Sequence, residues 1–211
     1  MSVFKNSTDN PVSHALIVDD DHAMRDSIEA LLRSVGIPSK GFESAAAFLD
    51  EFRPGDAGCL LLDVRMPGMD GIELQKILKQ RDIDIPVIIL TAFANVRLAV
   101  RAMRNGAFDF IEKPFDDQQL IERVRQAFAV SAETEDRERT VAEARERFET
   151  LSEREREIMD MITEGYLNKQ IAAKLSISQR TVENHRRRVM QKMNTKTVAE
   201  LVRTIVTLES V

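Results

Sequence analysis

Twice in the first third of the chain a short apolar run stops on aspartate. Ala15-Leu16-Ile17-Val18 leads into Asp19-Asp20-Asp21, and Cys59-Leu60-Leu61-Leu62 leads into Asp63. Runs that are apolar at consecutive positions suit strands buried on both faces, and such strands belong to parallel sheets. Parallel neighbours need a long crossover, usually a helix, and the sequence supplies one each time. Residues 22–35 carry Met24, Ile28, Leu31, Leu32 and Val35 at helical spacing and close on Gly36. There follow a weak strand at 40–42, a Ser44-capped helix with Phe48, Leu49 and Phe52, the 59–63 strand and a helix over 72–80. Then come a strand over 87–91 opened by Pro86, a helix over 96–104 ended by Gly106, a short strand over 108–111 and a helix from about Asp116. Five strands alternating with five helices predict a doubly wound five-stranded parallel α/β sheet, with its chemistry at the carboxyl ends of the strands.

The chain has 211 residues, enough for a second, smaller domain. Residues 131–149 are dominated by charge and lack glycine and proline. Their only apolar stripe is Val141, Ala144 and Phe148, which predicts a solvated helical linker. Four compact helical segments follow at 152–164, 168–175, 178–193 and 198–208, the first opened by Ser152 and Glu155 at capping-box spacing. The turn Leu175-Ser176-Ile177-Ser178 joins two of them as a helix-turn-helix requires. The expected organisation is an N-terminal extension (1–13), an α/β domain (14–130), a charged linker (131–149) and a small all-α four-helix domain (150–211). Residues 1–130 hold 15 Lys and Arg against 20 Asp and Glu, whereas residues 151–211 hold 11 against 8. An acidic body before a basic tail implies different partners for the two, a polyanion suiting the second.

The longest apolar runs fall far short of the roughly 18 residues needed to cross a bilayer. The N-terminus has no secretory pattern, so a cytoplasmic location is expected. A single cysteine, Cys59, excludes an internal disulfide, and three histidines (His14, His22, His185) offer no paired zinc motif. A metal would fall to carboxylates.

In a parallel sheet the ends at Asp19-Asp20, Asp63, Thr91 and the stretch before Lys113 share one edge. Carboxylates about 4 Å apart repel by on the order of 4 kcal/mol per pair at an effective dielectric of about 20. Something must neutralise them, and hard oxygen ligands with a hydrated coordination sphere describe magnesium. One carboxylate could then attack a phosphoryl group while Lys113 takes up charge and the Thr91 hydroxyl bonds a phosphoryl oxygen. Solvated loops would account for each acid alone, and helix capping for Thr91. They do not account for all four strand ends together.

VDDD at 18–21, LLLDVRMPGMDG at 60–71, LTAFA at 90–94 and EKPF at 112–115 closely resemble the receiver domain of two-component response regulators, over residues 14–128. The resemblance implies that Asp63 accepts phosphate from a sensor histidine kinase. It implies that Asp19, Asp20 and Asp63 hold magnesium with the Arg65 carbonyl, and that Met66-Pro67-Gly68 sets the loop. It also implies a cis proline after Lys113 and places Phe110 as a rotating aromatic switch. Aspartyl phosphatases of the haloacid dehalogenase type put a second aspartate two residues past the nucleophile, where this chain has Arg65, so no turnover of external substrates is expected. Arg65 and Phe93, two residues past Asp63 and Thr91, are poor at orienting water, which predicts slow self-dephosphorylation. On the 96–104 helix, Val96, Ala99, Val100 and Met103 are expected in the core and Leu98 outward beside Arg101, on the face FixJ-like receivers use for phosphorylation-dependent pairing.

The third tail helix reads SQRTVENHRRRVMQKM. Val182, His185, Val189 and Met193 share one face, and Arg180, Asn184, Arg187 and Gln191 the other. About 16 residues give about 24 Å of helix, suited to a major groove about 12 Å wide. Arg187 can read guanine and Asn184 adenine. Arg180, Arg186, Arg188 and Lys169 suit phosphates, and Glu183 could accept from cytosine. From Leu151-Ser152 through Asn168-Lys169, Ser178-Thr181-Val182 and Lys192-Met193, residues 150–206 resemble the LuxR-type helix-turn-helix of the FixJ/NarL subfamily. Together the two resemblances imply a homodimeric regulator of promoter DNA that works with RNA polymerase, Thr181 lying within the DNA-facing motif. Because sigma-factor region 4 is laid out similarly, a phosphorylation-independent adaptor binding RNA polymerase or another protein through the tail is the alternative.

Overall fold

The computed structural model describes residues 14–53, 57–92 and 96–209. They divide into two compact units between Thr134 and Glu135. The expected extension at 1–13 and Phe93 lie outside the described residues.

The first unit contains β1 (His14–Val18), α1 (His22–Ser34), β2 (Ser39–Phe42), α2 (Ala45–Glu51), β3 (Ala57–Asp63), α3 (Gly71–Gln80), β4 (Val87–Thr91), α4 (Val96–Arg104), β5 (Asp109–Glu112) and the start of α5 (Asp117–Glu149). Its five strands are parallel, in the order β2-β1-β3-β4-β5. The chain order reverses across β1 and β3, and this opens a crevice beyond their carboxyl ends. Alternation along each strand sends side chains to opposite faces. Leu16, Leu60, Leu62 and Ile89 meet Phe48, Ile72 and Leu78, while Ile17, Leu61, Ile88 and Leu90 meet Ile28, Leu32, Leu120 and Val124. Leu60, Leu61 and Leu62 are fully buried, each worth about 1.5–3 kcal/mol. The runs are therefore uninterrupted because both faces are covered.

Local chemistry sets the helix ends. Asp21 caps α1 by accepting from the Ala23 and Met24 amides, Ser44 caps α2, and Asp70 caps α3. Past α1 the backbone turns left-handed at Gly36, φ +75°, where a side chain would be strained.

On α4 the expected faces fail for Val96, Val100, Met103 and Leu98, while Ala99 is half-buried and Arg101 exposed. Ala102 is fully buried and Leu98 packs against the core, whereas Val96, Val100 and Met103 are 79%, 44% and 49% exposed. Gln75 of α3 donates from Nε2 to the Ala102 carbonyl at 3.1 Å. The small alanine is what lets α4 approach that closely.

The second unit packs the end of α5 with α6 (Glu153–Thr163), α7 (Asn168–Leu175), α8 (Gln179–Lys192) and α9 (Val198–Glu209). Ile158, Ile162, Ile171, Val182, Val189, Met193 and Leu201 form its core, and Phe148 packs against it. The 131–149 segment is helical, but Val141 and Ala144 are buried, so the thin stripe is not solvated. Ser152 and Glu155 form the reciprocal capping box at the start of α6. The α7–α8 turn passes through Ser176 in the left-handed region, φ +53°, and Ser178 caps α8.

Candidate functional site

The residue after β1, the last residue of β3 and the residue after β5 bring Asp19, Asp63 and Lys113 to the crevice. Lys113 Nζ donates to Asp19 Oδ2 at 2.6 Å and to Asp63 Oδ1 at 2.7 Å. All three side chains are largely buried, 11%, 3% and 9% exposed in that order. The second oxygen of each carboxylate is also engaged: the Arg65 amide donates to Asp63 Oδ2 at 2.6 Å, and the Asp21 amide to Asp19 Oδ1 at 2.9 Å. The loop after β3 folds back so tightly that a Cβ on Gly71 would collide with the Asp63 carbonyl oxygen. Glycine is thus required there by close approach.

Burial holds the Asp63 carboxyl above its ordinary value and Asp19 adds to the effect, against the pull of Lys113 and the Arg65 amide. Burial would likewise lower Lys113, but its hydrogen bonds to Asp19 and Asp63 prevail and its ammonium is held above its usual value. The lysine ammonium offsets part of the repulsion between these two acids.

Asp20 is exposed, as is the Arg65 side chain. Among the described residues no three carboxylate, imidazole or thiol side chains converge as a metal cage. The donor set still fits magnesium. Asp19, Asp63 and the neighbouring Asp20 outnumber the single ammonium, and magnesium is commonly held by one or two carboxylates with several waters retained. Thr91 is buried at the end of β4, its carbonyl accepting from the Lys113 amide at 2.9 Å. The Lys113–Pro114 bond is cis. Phe110, half-buried, packs against the core beneath α4. Arg25 escaped the sequence reading: its Nη1 donates to the Asp19 carbonyl at 2.6 Å, steadying the loop from the first turn of α1. A cation six residues past an acidic strand end was its only signal.

On α8, Arg180, Glu183, Asn184, Arg187 and Arg188 are exposed, opposite the buried Val182, Val189 and Met193. Lys169 is exposed in the first turn of α7, where backbone amides also favour phosphate. Two residues expected on DNA have local partners. Arg186 Nη1 donates to Asn168 Oδ1 at 3.3 Å, and the Thr181 hydroxyl shares a 2.8 Å hydrogen bond with Ser178 Oγ. Lys192 leaves the basic face and donates to Glu155 Oε2 at 2.6 Å and the Thr150 carbonyl at 2.8 Å.

Residues 15–125 match the response regulator receiver domain, and residues 149–205 match the luxR family of bacterial regulatory proteins. The transcriptional regulatory protein FixJ of Azorhizobium caulinodans is 46% identical over 187 residues, 89% of each chain. Response regulator protein TodT of Pseudomonas putida is 38% identical over 187 residues, 89% of this chain and 82% of that one. Among solved structures, the response regulator StyR aligns with a TM-score of 0.85 at 39% identity, covering 92% of this chain and 98% of its own. Full-length FixJ from B. japonicum aligns with a TM-score of 0.56 at 40% identity, covering 94% and 98%. No helix among the described residues is long and apolar enough to cross a membrane. Receiver, luxR-family domain and regulator relatives together favour a phosphorylation-dependent transcription factor over the adaptor. The chain belongs to the response regulators that join a receiver to a LuxR-type DNA-binding domain, in the company of the FixJ regulators.

Proposed function

We propose that Asp63 is the phosphoacceptor through which a sensor histidine kinase gates DNA binding by the helix-turn-helix. The observation carrying this reading is Lys113 held between Asp19 and Asp63 at the crevice where the sheet reverses. Asp63 attacks the phosphorus of the kinase's phosphohistidine; a P–O bond forms as the P–N bond breaks, and the imidazole leaves with a proton. Lys113 stands ready to follow the transferring oxygens, and the Thr91 hydroxyl to bond one once seated. Asp19, Asp20, Asp63 and the Arg65 carbonyl would hold magnesium, which supplies neutralising charge to the phosphoryl group. The role stays stoichiometric, with no turnover of external substrates, in the cytoplasm. Acetyl phosphate with magnesium should label the chain with acid-labile phosphate and Asp63→Asn should lose that label; full labelling of the variant would refute the assignment.

Signal leaves the receiver by pairing. Val96, Val100 and Met103 lie at i, i+4 and i+7 on the open face of α4, and they, not Leu98, are the residues a second copy would cover. The aspartyl phosphate carries about −1.5 to −2 charge where the carboxylate carried one, and Thr91 and Phe110 transmit its arrival toward that face. Two tails held by one receiver dimer gain effective concentration on paired half-sites, and the promoter-bound dimer contacts RNA polymerase. Val100→Asp should leave labelling intact and abolish the phosphorylated dimer in sedimentation; an intact dimer would sink this face.

A further inference from the structure

The three acids at the crevice are supported unequally. Asp19 and Asp63 each have both carboxylate oxygens engaged, by Lys113 and by the Asp21 and Arg65 amides. Asp20 lines a cleft with Val64, Arg65 and Met66, the residues that follow Asp63. Its exposed carboxylate makes no hydrogen bond or ion pair with any described residue. A side chain without a partner of its own is aimed by its backbone, and here the peptide planes on both sides of Asp20 are held. Arg25 Nη1 donates to the Asp19 carbonyl at 2.6 Å, fixing the plane before Asp20, and the Asp21 amide donates to Asp19 Oδ1 at 2.9 Å, fixing the plane after it. Peptides are rigid planes, so these two bonds together set the direction in which Asp20 leaves the chain.

Of the two, only the first is made by a side chain from outside the acidic cluster, and the fold clears its route. Arg25 is half-buried, and its stem runs past Gly41 of β2. A Cβ at Gly41 would stand 3.5 Å from Arg25 Cδ and 2.6 Å from Glu29 Oε1, one turn along α1. We propose that Arg25 is a positioning residue for magnesium: by holding the Asp19 carbonyl it aims Asp20 at the cation site. The inference rests on the magnesium-assisted reading of Asp63 given above. Its sign is opposite to that of charge alone. A guanidinium near a divalent site repels the cation, so its removal would tighten binding if charge were all that mattered, whereas loss of aim weakens it.

Magnesium titrated at constant ionic strength into the ¹⁵N-labelled full-length chain, followed at the backbone amides of Asp21 and Arg65, reads the affinity without any phosphoryl transfer. Arg25→Met keeps the stem and removes charge and donors. It should raise the dissociation constant about tenfold, the lower end of the loss met when the support of a metal ligand is removed, with the β3 and β4 amides unshifted. Arg25→Lys, which keeps a donor on a similar stem, should recover most of the affinity; binding as weak as in Arg25→Met would overturn the proposal. Should Arg25→Met misfold, Gly41→Val, which crowds the stem and leaves the guanidinium in place, should also weaken magnesium, and parental affinity there would count against the proposal as decisively. Unchanged or tighter binding in a folded Arg25→Met would overturn this inference alone. A parent chain without saturable magnesium binding would overturn both it and the reading it rests on.

Discussion

Each unit of this protein holds a lysine that bonds two oxygens at 2.6–2.8 Å, and the two lysines do opposite things. Lys192 meets one carboxylate, Glu155, and one carbonyl, so charge is balanced and the Glu155 carboxyl is drawn below its usual range. Lys113 meets two buried carboxylates beside a third acid, and burial pushes Asp63 the other way. Contact distance does not separate a cap from a site; uncompensated charge does. The surplus at Asp19 and Asp63 is the feature that can receive a cation and a phosphoryl group, whereas the Lys192 cluster is already satisfied.

The largest effect should come from removing the lysine at the unbalanced site. Lys113→Met leaves two buried carboxylates facing one another, and breaking a buried pair costs about 3–5 kcal/mol. Hydrogen exchange at the β1 and β3 amides should report that loss, and added magnesium should restore more protection in the variant than in the parent. Equal protection in both proteins would mean the lysine carries no electrostatic weight, and the contrast would collapse.

The basic helix offers a second contrast, between exposed arginines and those held by the protein. Arg187→Ala should cost about 1–3 kcal/mol of specific DNA binding and relax one base position, while Lys169→Ala should weaken all sequences alike and reduce the salt slope by about one. Arg186, tied to Asn168, should lose less than Arg187 on substitution. Fluorescence anisotropy over a salt series, with matched and mismatched sites, would read all three. A sequence-blind loss for Arg187 would remove α8 from the groove.

Most element boundaries were legible because they are written in caps and uninterrupted runs. The 96–104 and 168–175 helices coincide with α4 and α7, and Ser44 and Ser152 cap the helices they were expected to cap. What pattern could not decide was orientation where both sides of a helix are apolar. On α4 the stripe of Val96, Val100 and Met103 outweighs Leu98 and Ala102 by hydrophobicity, yet Leu98 and Ala102 face the core, the small Ala102 permitting close approach. At the acidic edge, strand ends placed Asp19, Asp63, Thr91 and Lys113 together, because parallel topology forces that. The Arg25 bond to the Asp19 carbonyl and the Arg186 bond to Asn168 depend on the course of long side chains, which residue spacing does not encode.

The smallest expected effect tests the balanced lysine. Glu155 is held below its usual value chiefly by the Lys192 hydrogen bond, then by the Ser152 amide. A carboxyl depressed in the folded state stabilises fully above its unfolded value, and that contribution fades as pH falls through the lower folded one. The second unit should therefore lose stability on acidification below the ordinary carboxylate range. Glu155→Gln keeps the shape and removes the titration. At neutral pH it should cost about 1 kcal/mol, because Lys192 is partly exposed and solvent already screens the pair. In acid the two proteins should converge. Hydrogen exchange of the α6 and α8 amides across pH would measure this, and an acid limb of equal steepness in both would assign it to other carboxylates.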